Sequence, residues 1–166
     1  MSTAWRWIRD AIMRKVKLLD MSFSPRVDVE VIRLPRILLT CDSLEALRLY
    51  LFTSTLRLPT VTGFPVLRVL QLNTVQLMDG ASVQPFLKNC PFLEDLSFID
   101  CFSYSYEELV SYSDEDEDED EDVCISCLSL KTLRVHNRNI GTYTKRLLDY
   151  SGLFTGHGSV RYRVAV

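Results

Sequence analysis

The chain has 166 residues, 47% apolar and 25% charged, which suits one soluble domain with a core of its own, and it has no stretch near the roughly 18 apolar residues of a membrane span. Its net charge of −3 conceals an asymmetry: Asp114 to Asp122 is an unbroken run of nine carboxylates, and without it 19 basic residues face the 13 remaining acidic ones. Those basic residues are scattered rather than gathered in a tract with interleaved aromatics, so nucleic acid and membrane are both set aside as partners.

In chain order, residues 1–15 read as a helix that partly caps the first repeat. Trp5, Ile8, Ile12 and Val16 recur at helical spacing, while Arg6, Arg9, Arg14 and Lys15 are left for water. A hexapeptide then begins to repeat. Its weakest copy is Val16-Lys17-Leu18-Leu19-Asp20-Met21. The clear copies are Leu44-Glu45-Ala46-Leu47-Arg48-Leu49, Leu67-Arg68-Val69-Leu70-Gln71-Leu72, Leu93-Glu94-Asp95-Leu96-Ser97-Phe98 and Leu130-Lys131-Thr132-Leu133-Arg134-Val135. The starts lie 28, 23, 26 and 37 residues apart, and taking the nine-residue acidic run out of the last interval brings it to 28. These periods fall in or near the leucine-rich-repeat range.

The pattern predicts strands near 16–22, 45–50, 68–73, 94–99 and 131–136, because the last two apolar residues of each copy stand two apart and face the same way. No unit can bury that face alone, so neighbours must stack. The expected fold is α/β: a short leucine-rich-repeat solenoid over residues 16–151, with a parallel concave sheet and irregular short helices or loops on the convex side. Between the strands, Leu34-Pro35-Arg36-Ile37-Leu38-Leu39 suggests a short helix or turn, and Leu58 to Gly63 looks extended. Val83, Phe86, Leu87 and Cys90 have helical spacing, with Asp79 or Ser82 as cap and Pro91 as stop. Ser105-Tyr106-Glu107-Glu108 has capping-box spacing for another helix. The Asn or Cys of regular repeats is met only by Cys101, with Phe52, Val75 and Arg138 in the corresponding places, so the units should be irregular.

Cys41, Cys90 and Cys127 each stand three residues before a repeat-opening leucine, and Phe64 takes that place before Leu67. Buried packing at a crowded corner explains them. The rival reading is Cys124-x-x-Cys127 as a redox or metal pair, which lacks a matching second pair. The acidic stretch 113–122 reads as a disordered insertion between repeats, or else as a segment attracting a basic partner or a cation. His136 and His157 have no nucleophile and acid in a recognisable arrangement, and no phosphate loop, dinucleotide fingerprint or zinc motif occurs. No cofactor or metal is expected.

The recognition surface expected of such a repeat is the outward side of the concave strands: Asp20 and Ser22, Arg48 and Tyr50, Gln71 and Asn73, Ser97 and Ile99, Arg134 and His136. Arg48 and Tyr50 are its best anchors, since Arg and Tyr are enriched in interface hot spots. The same residues also read simply as a solvated strand face.

Three longer segments carry a resemblance. They are Trp7-Ile8-Arg9-Asp10-Ala11-Ile12-Met13-Arg14-Lys15-Val16-Lys17-Leu18-Leu19-Asp20-Met21-Ser22-Phe23, then Leu34-Pro35-Arg36-Ile37-Leu38-Leu39-Thr40-Cys41-Asp42-Ser43-Leu44, then Val83 through Leu96. Together, over roughly residues 5 to 151, they resemble the plant F-box/FBD/LRR-repeat family. The resemblance implies an F-box that docks on Skp1, a repeat region that chooses the target of a cullin-based ubiquitin ligase, and an FBD domain. This sequence starts where that F-box would have ended and lacks most of the FBD region, so Skp1 and cullin are implied partners only if an F-box is supplied upstream. Residues 152–166 look like a divergent tail that packs poorly. The expected role is a non-enzymatic module binding a target protein in cytosol or nucleus. The competing readings are a truncated remnant without independent function, a structural scaffold unrelated to ubiquitination, and an enzyme with a site assembled in space.

Overall fold

A computed structural model of the chain describes residues 3–23, 31–52, 54–78, 82–103, 122–136, 152–155 and 159–163. In order, the elements are α1 (Thr3–Met13), β1 (Leu18–Ser22), β2 (Ile32–Arg33), α2 (Arg36–Leu39), β3 (Ala46–Tyr50), β4 (Thr55–Arg57), β5 (Val69–Asn73) and β6 (Gln76–Leu77). They continue with α3 (Val83–Lys88), β7 (Asp95–Ile99), β8 (Phe102–Ser103), β9 (Asp122–Ser126), β10 (Thr132–His136), β11 (Gly152–Thr155) and β12 (Ser159–Arg163). The protein is α/β, with parallel sheets and few helices.

Each hexapeptide supplies one strand of the main sheet, whose order is β1-β3-β5-β7-β10-β11. The first five strands are parallel and in register, so Leu19, Leu47, Leu70, Leu96 and Leu133 form one row. Two residues on, Met21, Leu49, Leu72, Phe98 and Val135 form a second. From β3 to β10 both rows are buried, while Leu19 and Met21 on the edge strand β1 are half-buried. The two-residue period of a strand puts both rows on one side of the sheet.

A corner follows each of β3, β5 and β7. Phe52, Thr74 and Asp100 have positive φ (45°, 49° and 51°), the left-handed conformation that bends the chain sharply. Beside them Leu51, Val75 and Cys101 are buried. The chain then enters a second parallel sheet of order β2-β4-β6-β8, in which Leu56 and Leu77 are paired neighbours and fully buried. Both sheets and the return segments share one apolar cluster.

α1 ends in a left-handed residue, Lys15 (φ 54°), with the Val16 amide donating to Ala11 O and the Lys15 amide to Ile12 O. This is a Schellman ending, which aims the chain into β1. Ile8 of α1 is buried and Ile12 and Val16 are half-buried against the core. α2 follows Pro35, as its position at a helix start favours. α3 has Ser82 in the N-cap place, without a side-chain capping bond, and Pro85 in its first turn. Beyond α3, the side-chain amide of Asn89 donates to Thr60 O (3.2 Å) and Pro85 O (2.8 Å), and Phe64 meets Phe86 edge-to-face at 6.1 Å. These contacts tie the extended return 58–63 to α3.

Three expectations are corrected. The main sheet is not parallel throughout: β11 pairs antiparallel with β10, Leu133 opposite Phe154. Nor do the described parts of the tail, 152–155 and 159–163, stand apart, since β11 joins the main sheet and β12 pairs antiparallel with β9. The antiparallel strand covers edge groups of β10 that a last parallel repeat would leave unpaired. Asp122, placed in the acidic insertion, is the first residue of strand β9. Residues 113–121, Asp79, the capping-box helix from Tyr106 and Arg138 lie outside the described residues.

Candidate functional site

Strand alternation turns one side chain in two away from the core, and five parallel strands in register line these up into rows. The expected recognition residues make two of them. One runs Asp20, Arg48, Gln71, Ser97, Arg134, and the other Ser22, Tyr50, Asn73, Ile99, His136. The register thus brings all ten onto one outer face from four separate repeats and the N-terminal copy.

Nine of the ten reach the surface. Asp20, Ser22, Arg48, Arg134 and His136 are exposed, and Tyr50, Gln71, Asn73 and Ile99 are partly so. Ser97 is the exception at 5% exposure. Its register neighbours are Gln71 and Arg134, and a two-atom side chain between two long ones is shielded. Ser97 therefore belongs to the floor of the face.

Arg48 lies opposite Asp20 and pairs with it at 3.8 Å, both side chains being well exposed. Such a pair contributes little to stability, on the order of 0–1 kcal/mol. Tyr50 meets Phe52 edge-to-face, with ring centroids 4.3 Å apart. Phe52 can stand there because the left-handed corner throws its side chain outward, where it is 45% exposed. Arg48, Tyr50 and Phe52 thus gather aromatic and guanidinium surface at one end of β3, the residue types that dominate binding energy in interfaces.

Two rows escaped the reading of the sequence. One is Leu18, Ala46, Val69, Asp95, Thr132, which continues the outward alternation two residues earlier in each strand. The signal was present, since the same period applied one step further would have found it. The other precedes it and is made of charges: Lys17, Glu45, Arg68, Glu94, Lys131. Each comes directly after the opening residue of a hexapeptide, and the signs alternate along the chain.

The backbone fixes this second row as firmly as a strand would. Amides of Glu45 and Ala46 donate to Lys17 O, those of Arg68 and Val69 to Glu45 O, those of Glu94 and Asp95 to Arg68 O, and those of Lys131 and Thr132 to Glu94 O. The side chains pair accordingly: Lys17 with Glu45 at 2.8 Å, Arg68 with Glu94 at 2.6 Å, Lys131 with Glu94 at 3.1 Å. The hydrogen bond from Lys17 holds the Glu45 carboxyl below its ordinary value of 4.5, and the one from Lys131 does the same for Glu94. Beside this row lies a cleft of about 440 Å³ between Lys17, Asp42, Ser43, Glu45, Val66, Arg68 and Phe92.

Four of the five cysteines sit in the core. Cys41, Cys90, Cys101 and Cys127 are free thiols and all buried. Burial pushes the Cys90 thiol up to about 11 and Cys101 to about 12, so both stay protonated at neutral pH and are poor nucleophiles. At the corners, the Leu93 amide donates to Cys90 O and the Leu130 amide to Cys127 O, closing equivalent turns before β7 and β10. The Cys124 side chain lies outside the described residues. Among those described, no group of three or more His, Cys, Asp or Glu is placed to hold a metal, and no helix is long and apolar enough to cross a membrane.

The sequence is similar to known proteins. Residues 4–115 match a family model described as the LRR repeats of FBD-associated F-box protein At5g56370. A putative FBD-associated F-box protein of Arabidopsis thaliana, At5g56700, is 37% identical over 56% of this chain and 23% of its own length. From the same organism, F-box/FBD/LRR-repeat protein At1g78750 is 31% identical over 83% of this chain and 32% of its own. F-box/FBD/LRR-repeat protein At4g26340 is also 31% identical, over 89% of this chain and 32% of its own length. The chain thus spans a quarter to a third of these relatives. No solved structure matches it.

Proposed function

We propose that this chain, which belongs to the leucine-rich-repeat family of the FBD-associated F-box proteins, is a protein-binding module that recognises its target on the outer face of the main sheet. The observation that carries this reading is the register. It sets the outward side chains of five hydrogen-bonded strands side by side, so the surface is formed by the fold itself, and a preformed surface loses little ordering entropy on binding. The stacked rungs are read as a short solenoid, with the main sheet concave and the short helices and loops convex.

In this reading Arg48, Tyr50 and Phe52 form the anchor, and Gln71, Asn73, Arg134 and His136 add polar contacts. The role is recognition without catalysis, in cytosol or nucleus. As in the architecture implied by kinship, delivery of the target to a Skp1–cullin ubiquitin ligase would need an F-box joined to these repeats.

The test is quantitative capture from plant extract by the immobilised chain, with Arg48→Ala/Tyr50→Ala and the exposed Val61→Ser as parallel baits. A target of the outer face is retained by the parent and by Val61→Ser, and is depleted on the double variant by about tenfold or more. Equal retention of every captured protein by all three baits would overturn the reading. Skp1 is expected on a bait with an F-box appended upstream and not on the chain alone; Skp1 bound by the repeats themselves contradicts this division of labour.

A further inference from the structure

α1 turns Ile8 and Ile12 to the core, so its other side is free to carry something else. That side holds Arg6, Arg9, Met13 and Trp7, and Arg14 and Lys15 lie at its end. Trp7 is 72% exposed and Met13 73%. The only carboxylate on the helix is Asp10, in a loose pair with Arg9 at 4.0 Å. Arg6, Arg14 and Lys15 have no ion pair among the described residues. The neighbouring α2, which packs against α1, adds exposed Arg36.

We infer that the outward side of α1 is a second docking surface, distinct from the outer face of the main sheet, for an acidic polypeptide segment that also carries apolar side chains. The charges choose the sign of the partner, because several cations beside the one carboxylate of their own helix favour an anionic surface over a cationic one. The apolar residues choose its class. Trp, Met and Arg are the side chains enriched in interface centres, and two large apolar groups beside guanidiniums gain most from a partner that covers both kinds.

A phosphate backbone would neutralise the arginines and leave Trp7 and Met13 in water. A lipid surface calls for one continuous apolar stripe pointing outward, and the continuous stripe of α1 points into the core. The acidic run Asp114 to Asp122 of a second copy has the right sign but no apolar residue.

The experiment uses the full chain and four probes: a labelled acidic peptide with Leu and Phe at i, i+4 spacing, the same peptide with Ser at those positions, phosphatidylserine vesicles, and duplex DNA. Affinity is read from anisotropy or co-sedimentation, and the position of contact from the blue shift of Trp emission. The acidic–apolar peptide binds, with a blue shift, and binding weakens as salt is raised. Arg6→Glu/Arg14→Glu and Trp7→Ala each weaken it by about tenfold or more, whereas Arg48→Ala on the main sheet leaves it unchanged. All replaced side chains are exposed, so melting temperatures should match the parent; Met13→Ser serves if a variant unfolds. No binding, equal binding of the serine peptide, preference for vesicles or DNA, salt-dependent self-association of the chain in place of peptide binding, or indifference to these substitutions overturns the proposal.

Discussion

Gly63 shows how closely successive returns are packed. A Cβ built there would stand 2.2 Å from the Asn89 carbonyl oxygen, which is backbone and cannot swing away. Asn89 is itself held by its bonds to Thr60 and Pro85. Gly63→Ala is therefore expected to destabilise by about 1–3 kcal/mol, the usual cost of overpacking. Urea denaturation of the two proteins checks it; an unchanged midpoint would mean that the return 58–63 gives way freely. Leu96 makes the opposite case. It is fully buried, with Leu70 and Leu133 as its register neighbours, and Leu96→Ala should cost about 2–5 kcal/mol through the cavity it leaves, read from the same urea midpoints.

Among the elements, the row Lys17, Glu45, Arg68, Glu94, Lys131 has a consequence that single exposed ion pairs lack. A pairing that skipped one strand would bring Lys17 beside Arg68, or Glu45 beside Glu94. Like charges side by side are unfavourable, so the alternation favours the native strand order over its near alternatives. Its contribution should be sensitive to acid. Glu45 and Glu94 have folded values below 4.5, so the unfolded chain takes up protons first and stability falls as pH drops from 4.5 through the lowered values. Above 4.5 the contribution is fully present. Thermal melts across this range should show a shallower acid limb for Glu45→Gln and Glu94→Gln than for the parent, and identical limbs would mean that the row adds nothing to stability. Glu45→Lys should lower the melting temperature, more at low salt than at high, because it sets a third cation between Lys17 and Arg68.

For the molecule as a whole, the main sheet, the four-stranded sheet and the returns bury one shared cluster among the described residues, so melting should be a single cooperative transition by circular dichroism and by Trp emission together. Two separated transitions would favour the remnant reading, in which the repeats do not stabilise one another.

The strand rows were legible in the chain because a parallel sheet repeats one local requirement: two apolar residues, two apart, in every unit. Leu47, Leu70, Leu96 and Leu133 satisfy it identically, which is why their register and the outward turn of nine exposed or partly exposed face residues could be anticipated from periodicity. The same alternation misplaced Ser97, since exposure depends on the lengths of Gln71 and Arg134 across the register, and periodicity carries no information about neighbours on other strands. The left-handed corners were hidden too: Phe52, Thr74 and Asp100 share no residue type, and their φ is imposed by where the next strand must go. So were β11 and β12, which carry no copy of the hexapeptide, although β11 lies no farther along the chain from its partner β10 than neighbouring repeats lie from each other. Contacts within a unit are written in local spacing, whereas the closing of an edge and the shading of one side chain by another arise only when distant segments compete for the same space.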